Sequence, residues 1–206
     1  MTNLRSVSTG DARSQPGSSF RRQLKRATAD LHRRLESDLG LLAPDLTLER
    51  YRKVLECFFG FYAPIEAELA HVASASDTFG LPLRARTERI ESDLISLGLS
   101  RREILSLPRC DQLPPLSSTE QGAGCLYVLE GASLGGRVIA PVLQERLGVT
   151  QGNGASFFVG DGEQTQARWS AFLDWLEGLV QAGAATAEII ASARATFLAF
   201  VLWAER

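Results

Sequence analysis

The chain has 206 residues, of which 45% are apolar and 22% are charged, the usual proportions of a protein that buries one hydrophobic core. The formal net charge of -2 provides no broad positive field for phosphate backbones, which argues against nucleic-acid binding as the main task. The three cysteines stand at unrelated spacings, so they suggest neither a disulfide framework nor a CxxC metal site and fit a reducing cytoplasm.

Residues 1–19 are rich in Ser, Arg, Gly and Thr and lack the apolar stretch of a secretory signal. We interpret them as a disordered tail in front of one domain over residues 20–206. No apolar run approaches the length that crosses a membrane, so no membrane association is expected.

Apolar residues three and four positions apart predict a first amphipathic helix over about Phe20–Glu36. A second helix, LERYRKVLECFFGFYAPIEAELAHV, follows a cap at Thr47, and Pro64 is expected to kink or divide it. Its aromatic residues are interpreted as core.

The remaining predicted elements are also helical. One of them begins at a capping box, formed by Ser117 with Glu120 or by Ser118 with Gln121, and ends at Gly148. The others lie at about Leu83–Leu97, Arg101–Leu105, Glu163–Ala182 and Thr186–Ala204. The one strand candidate, ASFFVG, is too short and isolated to build a sheet, and the loop QGNGASFFVGDG around it is interpreted as a connection. An all-α fold follows.

The segment GAGCLYVLEGASLGGRVIAPVL is unusual because five glycines interrupt a strongly helical pattern, each at a cost of about 1 kcal/mol relative to alanine. Tyr127, Gly131 and Gly135 stand four residues apart and therefore form one stripe of a helix, along which bare backbone allows a flat ligand to approach. The alternative is that these glycines admit a neighbouring helix at short range, and the pattern alone does not decide between the two.

His32 and His71 are the two histidines of the chain, so a multi-histidine metal site is excluded and one axial histidine remains possible. His32 lies at the edge of the apolar face of the first helix. Glu36 follows one turn later, within reach of the free ring nitrogen, and Lys25 precedes His32 by about two turns. A histidine in such a place is more often a packing residue, so both interpretations stay open.

The first helix is basic although the chain as a whole is not. The basic side chains could bind a ligand that has acidic groups along one edge, or a protein partner with an acidic surface. They are equally typical of a helix face exposed to solvent. The residues concerned are Arg21, Arg22, Lys25, Arg26, Arg33 and Arg34.

Two motifs in this order resemble a known family. LKRATADLHRRLE resembles the proximal-helix signature of heme oxygenases, and GCLYVLEGASLGG resembles the distal-helix signature of the bacterial branch, particularly the enzymes associated with bacteriophytochromes. The stretch ASFFVGDGEQTQARWSAFLDWLEG is also similar, so the resemblance covers about Phe20–Arg206. It implies an all-α, single-domain helical bundle that cleaves heme with O2 and supplied electrons to biliverdin, CO and iron, with heme as both substrate and cofactor.

The resemblance also implies the roles of individual residues. These are His32 as axial iron ligand, Glu36 as its orienting neighbour, Lys25 and Tyr127 as propionate partners, Gly131 and Gly135 as close backbone contacts at the reacting centre, and Gly136 beside them in the heme-binding set. The family often has Ser or Asp after the first distal glycine, where this chain has Ala132.

The implied partners are an electron donor, such as a ferredoxin or a flavoprotein reductase, and a bacteriophytochrome that receives biliverdin. The main alternative is a heme-binding or heme-delivery protein of the same fold without turnover, which Ala132 favours. Thiamin-cleaving and di-iron enzymes share this type of scaffold, but two histidines and no EXXH motif argue against a di-iron site. A helical interaction module without a cofactor is the least specific alternative.

Overall fold

The computed structural model describes residues 16–74 and 86–206, and the regular elements in these ranges are helices. They are α1 (Pro16–Leu39), α2 (Leu48–Ser74), α3 (Arg86–Ser96), α4 (Arg101–Ser106), α5 (Thr119–Leu147), α6 (Ser156–Val159), a 3-10 turn (Gly162–Gln164), α7 (Thr165–Gln181) and α8 (Thr186–Ala204). The predicted all-α fold class is confirmed.

The first two helices are longer than their sequence patterns predicted. α1 begins at Pro16, so residues 16–19 belong to a helix and not to the predicted tail, whose residues 1–15 lie outside the described ranges. α1 ends where Gly40 takes a left-handed conformation with φ of 60°. α2 continues through Pro64, so of the two predicted effects of this proline, a kink or a division, the division does not occur.

The later boundaries agree more closely with the sequence. α3 is described from Arg86, and the first residues of the helix predicted over Leu83–Leu97 lie outside the described ranges. Ser118 caps α5 by accepting from the Gln121 N–H at 3.2 Å. The Gln121 side chain accepts from the Ser117 N–H at 2.7 Å instead of the Ser118 N–H, so only half of the predicted Ser118–Gln121 box is present. α5 ends at Gly148, as predicted, with φ of 70°.

Helix α8 occupies the centre of the bundle. α1 and α5 both pack along it, whereas in the described residues they scarcely touch each other. Thr28 of α1 adjoins Tyr127 of α5, and we call the region that these two helices border the cleft. The aromatic residues of α2 fill the core behind α8, as predicted, with the rings of Phe61 and Phe200 stacked at a centroid distance of 4.2 Å.

Two of the described helices, α5 and α8, are long and apolar enough to cross a membrane by length and composition. In the bundle these two helices pack on each other over much of their length.

Candidate active site

Helix α1 is held on α8 by ion pairs on both sides of His32. Arg194 of α8 donates to the backbone carbonyl of Ala27 and pairs with Asp30 at 2.9 Å. Arg34 pairs with Glu205 after the end of α8. These contacts fix the position of the α1 turn that carries His32.

The His32 side chain is 52% exposed and yet has a defined orientation. Its Nδ1 lies 3.3 Å from Oε2 of Glu36, and its ring stands edge-on to Phe197 of α8 at a centroid distance of 5.6 Å. A carboxylate on Nδ1 leaves Nε2 as the nitrogen available to a metal, because a ring that donates from one nitrogen coordinates through the other.

The glycines of α5 divide into two groups when the space around each missing side chain is compared. A methyl group on Gly124 would overlap the carbonyl oxygen of Ile189, and one on Gly136 would overlap the carbonyl oxygen of Phe158. At Gly131 and Gly135 the nearest atoms would be 3.9 and 4.0 Å away, which is ordinary contact or open space. Helix packing therefore explains the first pair of glycines and does not explain the second.

Gly136, which the resemblance places in the heme-binding set, has a packing contact within the protein. The backbone of Phe158, near the end of α6, lies against it, and the absence of a side chain at Gly136 allows α5 and α6 to pack this closely. The loop around ASFFVG is thus more than a connection, since Phe157 and Phe158 are buried and support α5.

Tyr127 joins the glycine stripe to α1. Burial raises the pKa of its phenol above the ordinary value, and the neighbouring Thr28 hydroxyl of α1 lowers it in part. The ring lies 5.7 Å from that of Trp169 on α7, whose Cη2 is also the atom nearest to the missing side chain of Gly131. Because Tyr127, Gly131 and Gly135 share one face of α5, this face borders the cleft.

Lys25 is exposed on α1, seven residues before His32 and therefore on nearly the same side of the helix. Thr28 lies between them, and its hydroxyl donates to the Leu24 carbonyl at 3.0 Å. The structure thus brings Lys25, His32 and Glu36 onto one side of α1 and places Tyr127 beside the same helix. His71, the other histidine, is exposed near the end of α2.

A cavity of about 290 Å³ lies on another side of α5, beside Ala132 and Ser133. It is mainly polar. Its other lining residues are Arg86, Glu88, Arg89, Phe157, Asp161 and Arg168. The residue after the first distal glycine is therefore next to a space large enough for several water molecules.

Sequence reasoning missed three contacts at the cleft: Phe197 against His32, Thr28 against Tyr127, and Trp169 against Tyr127 and Gly131. Each joins residues on different helices. No periodicity within one helix could reveal them, because the period indicates which face is buried and not which residue covers it.

The site contains one imidazole that can take an axial position and no cluster of acidic, histidine or cysteine side chains within residues 16–74 and 86–206 that could hold a bare metal ion. These residues suit a flat group that carries its own metal, since Gly131 and Gly135 leave space on α5 and His32 supplies a donor on α1.

The comparisons with known proteins agree with this geometry. The family model described as heme oxygenase matches residues 18–206. A heme oxygenase of Xanthomonas campestris pv. campestris is 32% identical over 154 residues, which cover 74% of this chain and 87% of that protein. The solved NO- and CO-bound heme oxygenase of Neisseria meningitidis has the same fold, with a TM-score of 0.72 and 24% identity over 90% of both chains. The chain therefore belongs to the heme oxygenase family, and this membership makes it an oxidoreductase that acts on heme.

Proposed function

We propose that heme binds in the cleft between α1 and α5, with His32 Nε2 as the axial ligand of its iron, and is cleaved there to biliverdin, CO and free iron. The observation that carries this proposal is the pairing of an exposed but oriented histidine with two glycines that no neighbouring helix requires. Bound heme supplies the iron and the conjugated ring on which O2 is reduced and the macrocycle opened.

His32 and Glu36 act together in this proposal. The Glu36 carboxylate lies 3.3 Å from Nδ1, where it would accept a hydrogen bond from the Nδ1–H group and hold the imidazole ring in one orientation, which leaves Nε2 for the iron. Phe197 supports the ring from the α8 side.

Lys25 and Tyr127 are proposed to bind the heme propionates. Both lie at the Thr28 end of the cleft, on α1 and α5 respectively. An ammonium group attracts a carboxylate electrostatically, and a phenol of raised pKa keeps its proton and donates it in a hydrogen bond. The two propionates would then point toward one end of the cleft and fix the rotation of the macrocycle in its plane.

Gly131 and Gly135 are proposed to let the α5 backbone lie directly over the macrocycle, which excludes bulk water and restricts the space in which O2 reacts. Ala132 contributes no polar side chain there. The protons that the reaction consumes would come from water that enters the cleft.

Electrons are proposed to come from a protein donor of the ferredoxin or flavoprotein-reductase type in the cytoplasm. The exposed arginines of α1 lie next to the side that carries Lys25 and His32, so a donor with an acidic surface would dock close to the heme edge. A bacteriophytochrome is the proposed acceptor of biliverdin.

A single titration tests the proposal. Hemin added to the purified protein should give the absorption spectrum of a histidine-ligated ferric heme, and a reductant in air should then convert it to biliverdin. His32→Ala should lose the ligated spectrum while its helical circular dichroism stays unchanged, because the side chain is half exposed. Added imidazole should restore ligation by entering the space left by the ring.

Each other outcome contradicts a defined part of the proposal. Unchanged ligation in His32→Ala would refute the axial assignment. A ligated spectrum without biliverdin would instead support a heme-binding or heme-delivery protein, the alternative that Ala132 favours.

A further inference from the structure

A buried ion pair joins α3 to α5 at the residue directly before Gly131. Arg86 Nη2 lies 2.5 Å from Glu130 Oε1, and the two side chains are only 6% and 12% exposed. Burial lowers the pKa of Arg86, but Glu130, Tyr62 and Glu66 together outweigh this and hold the pKa above its ordinary value. Arg86 therefore stays charged.

Arg86 is itself firmly placed, because it is the first residue of α3 and its helix end is capped from α2. The Glu66 carboxylate accepts from the backbone N–H groups of Arg86 and Thr87 at 2.9 and 3.2 Å, and from the Thr87 hydroxyl at 2.7 Å. A continuous connection thus runs from α2 through the start of α3 to Glu130 on α5.

This connection matters because the glycine stripe has few contacts of its own. Gly131 and Gly135 offer no side chain by which α5 could be held, and the residues between them are all partly exposed. The segment is fixed at one end by the contact of Gly136 with Phe158 and at the other by Glu130. The length of the Arg86–Glu130 contact consequently affects how far Gly131 stands from the cleft.

We propose that Glu130 and Arg86 are positioning residues, which set the height and tilt of α5 over the cleft and thereby select the meso carbon at which the macrocycle opens. This inference rests on the proposed function, in which the stripe of Gly131 and Gly135 faces the heme. Neither side chain is required to touch the macrocycle. A purely structural pair would affect only the stability of the fold.

The decisive variant is the double substitution Arg86→Met with Glu130→Leu. An apolar pair of similar size often replaces a buried ion pair with little loss of stability, whereas removal of one partner leaves a buried charge. The double variant should melt near the wild-type temperature and keep the histidine-ligated ferric spectrum. Its ratio of biliverdin isomers should change by about twofold or more, since about 0.4 kcal/mol between two barriers changes a rate ratio by that factor.

Glu130→Asp provides a second measurement, because it keeps the charge and shortens the connection by one methylene group. It should also change the isomer ratio. The matched control is Arg101→Met with Glu91→Leu, which removes an exposed pair between α4 and α3, 2.9 Å long, away from the glycine stripe. Its isomer ratio should equal that of the wild type.

A wild-type isomer ratio in a folded, heme-ligating double variant would overturn the inference. If the double variant does not fold, the same result with Glu130→Asp overturns it. The proposed function fails separately, and earlier, if the unmodified protein shows no histidine-ligated spectrum with hemin.

Discussion

At the scale of single residues, the glycines of α5 have different surroundings, although they look equivalent in the sequence. Gly124 and Gly136 lie against the backbone carbonyls of Ile189 and Phe158, and their backbone cannot approach so closely with a side chain present. Gly131 and Gly135 face open space and still stand in a helix interior, where glycine is unfavourable. An unfavourable residue without a packing reason indicates a ligand.

Alanine substitutions should separate the two pairs. Gly131→Ala and Gly135→Ala should leave the free energy of unfolding of the heme-free protein unchanged or raise it by up to about 1 kcal/mol, because alanine favours the helix and meets no neighbour. Gly136→Ala and Gly124→Ala should lower it by about 1 to 3 kcal/mol through overpacking. Chemical denaturation of the four variants measures the difference.

A larger side chain extends this comparison to activity. Gly131→Leu or Gly135→Leu should retain His32 ligation of hemin and lose most biliverdin formation, since the added side chain would occupy the space over the macrocycle. Single-turnover spectra give both quantities from one sample. Normal biliverdin formation by a heme-loaded Gly135→Leu variant would refute the placement of the stripe at the heme.

At the scale of elements, the short helix α6 shows how a segment of weak pattern gains its structure. Asp93 of α3, which is buried, accepts from the backbone N–H groups of Ser156 and Phe157 at 2.7 and 2.8 Å. These bonds satisfy the first turn of α6 and hold Phe158 against Gly136. The position of Gly136 thus depends on the Asp93 carboxylate, which stands 63 residues before Ser156 in the chain.

Asp93→Ala should therefore lower the free energy of unfolding by about 2 to 3 kcal/mol, because it leaves two buried N–H groups without a partner. Asp45→Ala, at an exposed position, serves as the control and should stay within about 0.5 kcal/mol of the wild type. Thermal or urea unfolding of the heme-free proteins checks both. Equal stability of the two variants would show that water replaces the Asp93 contacts.

At the scale of the whole molecule, the charge is nearly balanced overall but unevenly distributed. Arg22, Arg26 and Arg33 are exposed along one stripe of α1, and the structure gives them no ion pair within residues 16–74 and 86–206. Arg21 and Arg34, by contrast, pair with acidic residues of α7 and with Glu205. The unpaired stripe lies beside the side of α1 that carries His32.

Replacement of Arg22, Arg26 and Arg33 by glutamine should raise the KM for an acidic ferredoxin-type donor by about tenfold at low salt and weaken its dependence on ionic strength. Turnover driven by ascorbate, which needs no protein docking, should change little. Lys53→Gln with Arg102→Gln, at exposed sites on α2 and α4, is the charge control. An unchanged KM would place the donor elsewhere.

The sequence by itself determined the helices and the family. Periodicity located α1, α2, α5 and α8, and the Ser118 and Gly148 caps marked the ends of α5, because capping depends on residues within a few positions of each other. The order of the two motifs indicated heme oxygenase, which the match over residues 18–206 confirmed. These properties are local or are carried by the motifs themselves.

Only the tertiary structure decided which glycines serve packing and which leave space, and it assigned Gly136 to the contact with Phe158. It also revealed Phe197 beside His32 and the Arg86–Glu130 pair beneath Gly131. The physical reason is that each of these features is a contact between residues distant in the chain. A helical period states that a face is covered, but the covering atoms are supplied by elements whose relative placement depends on the packing of the entire bundle.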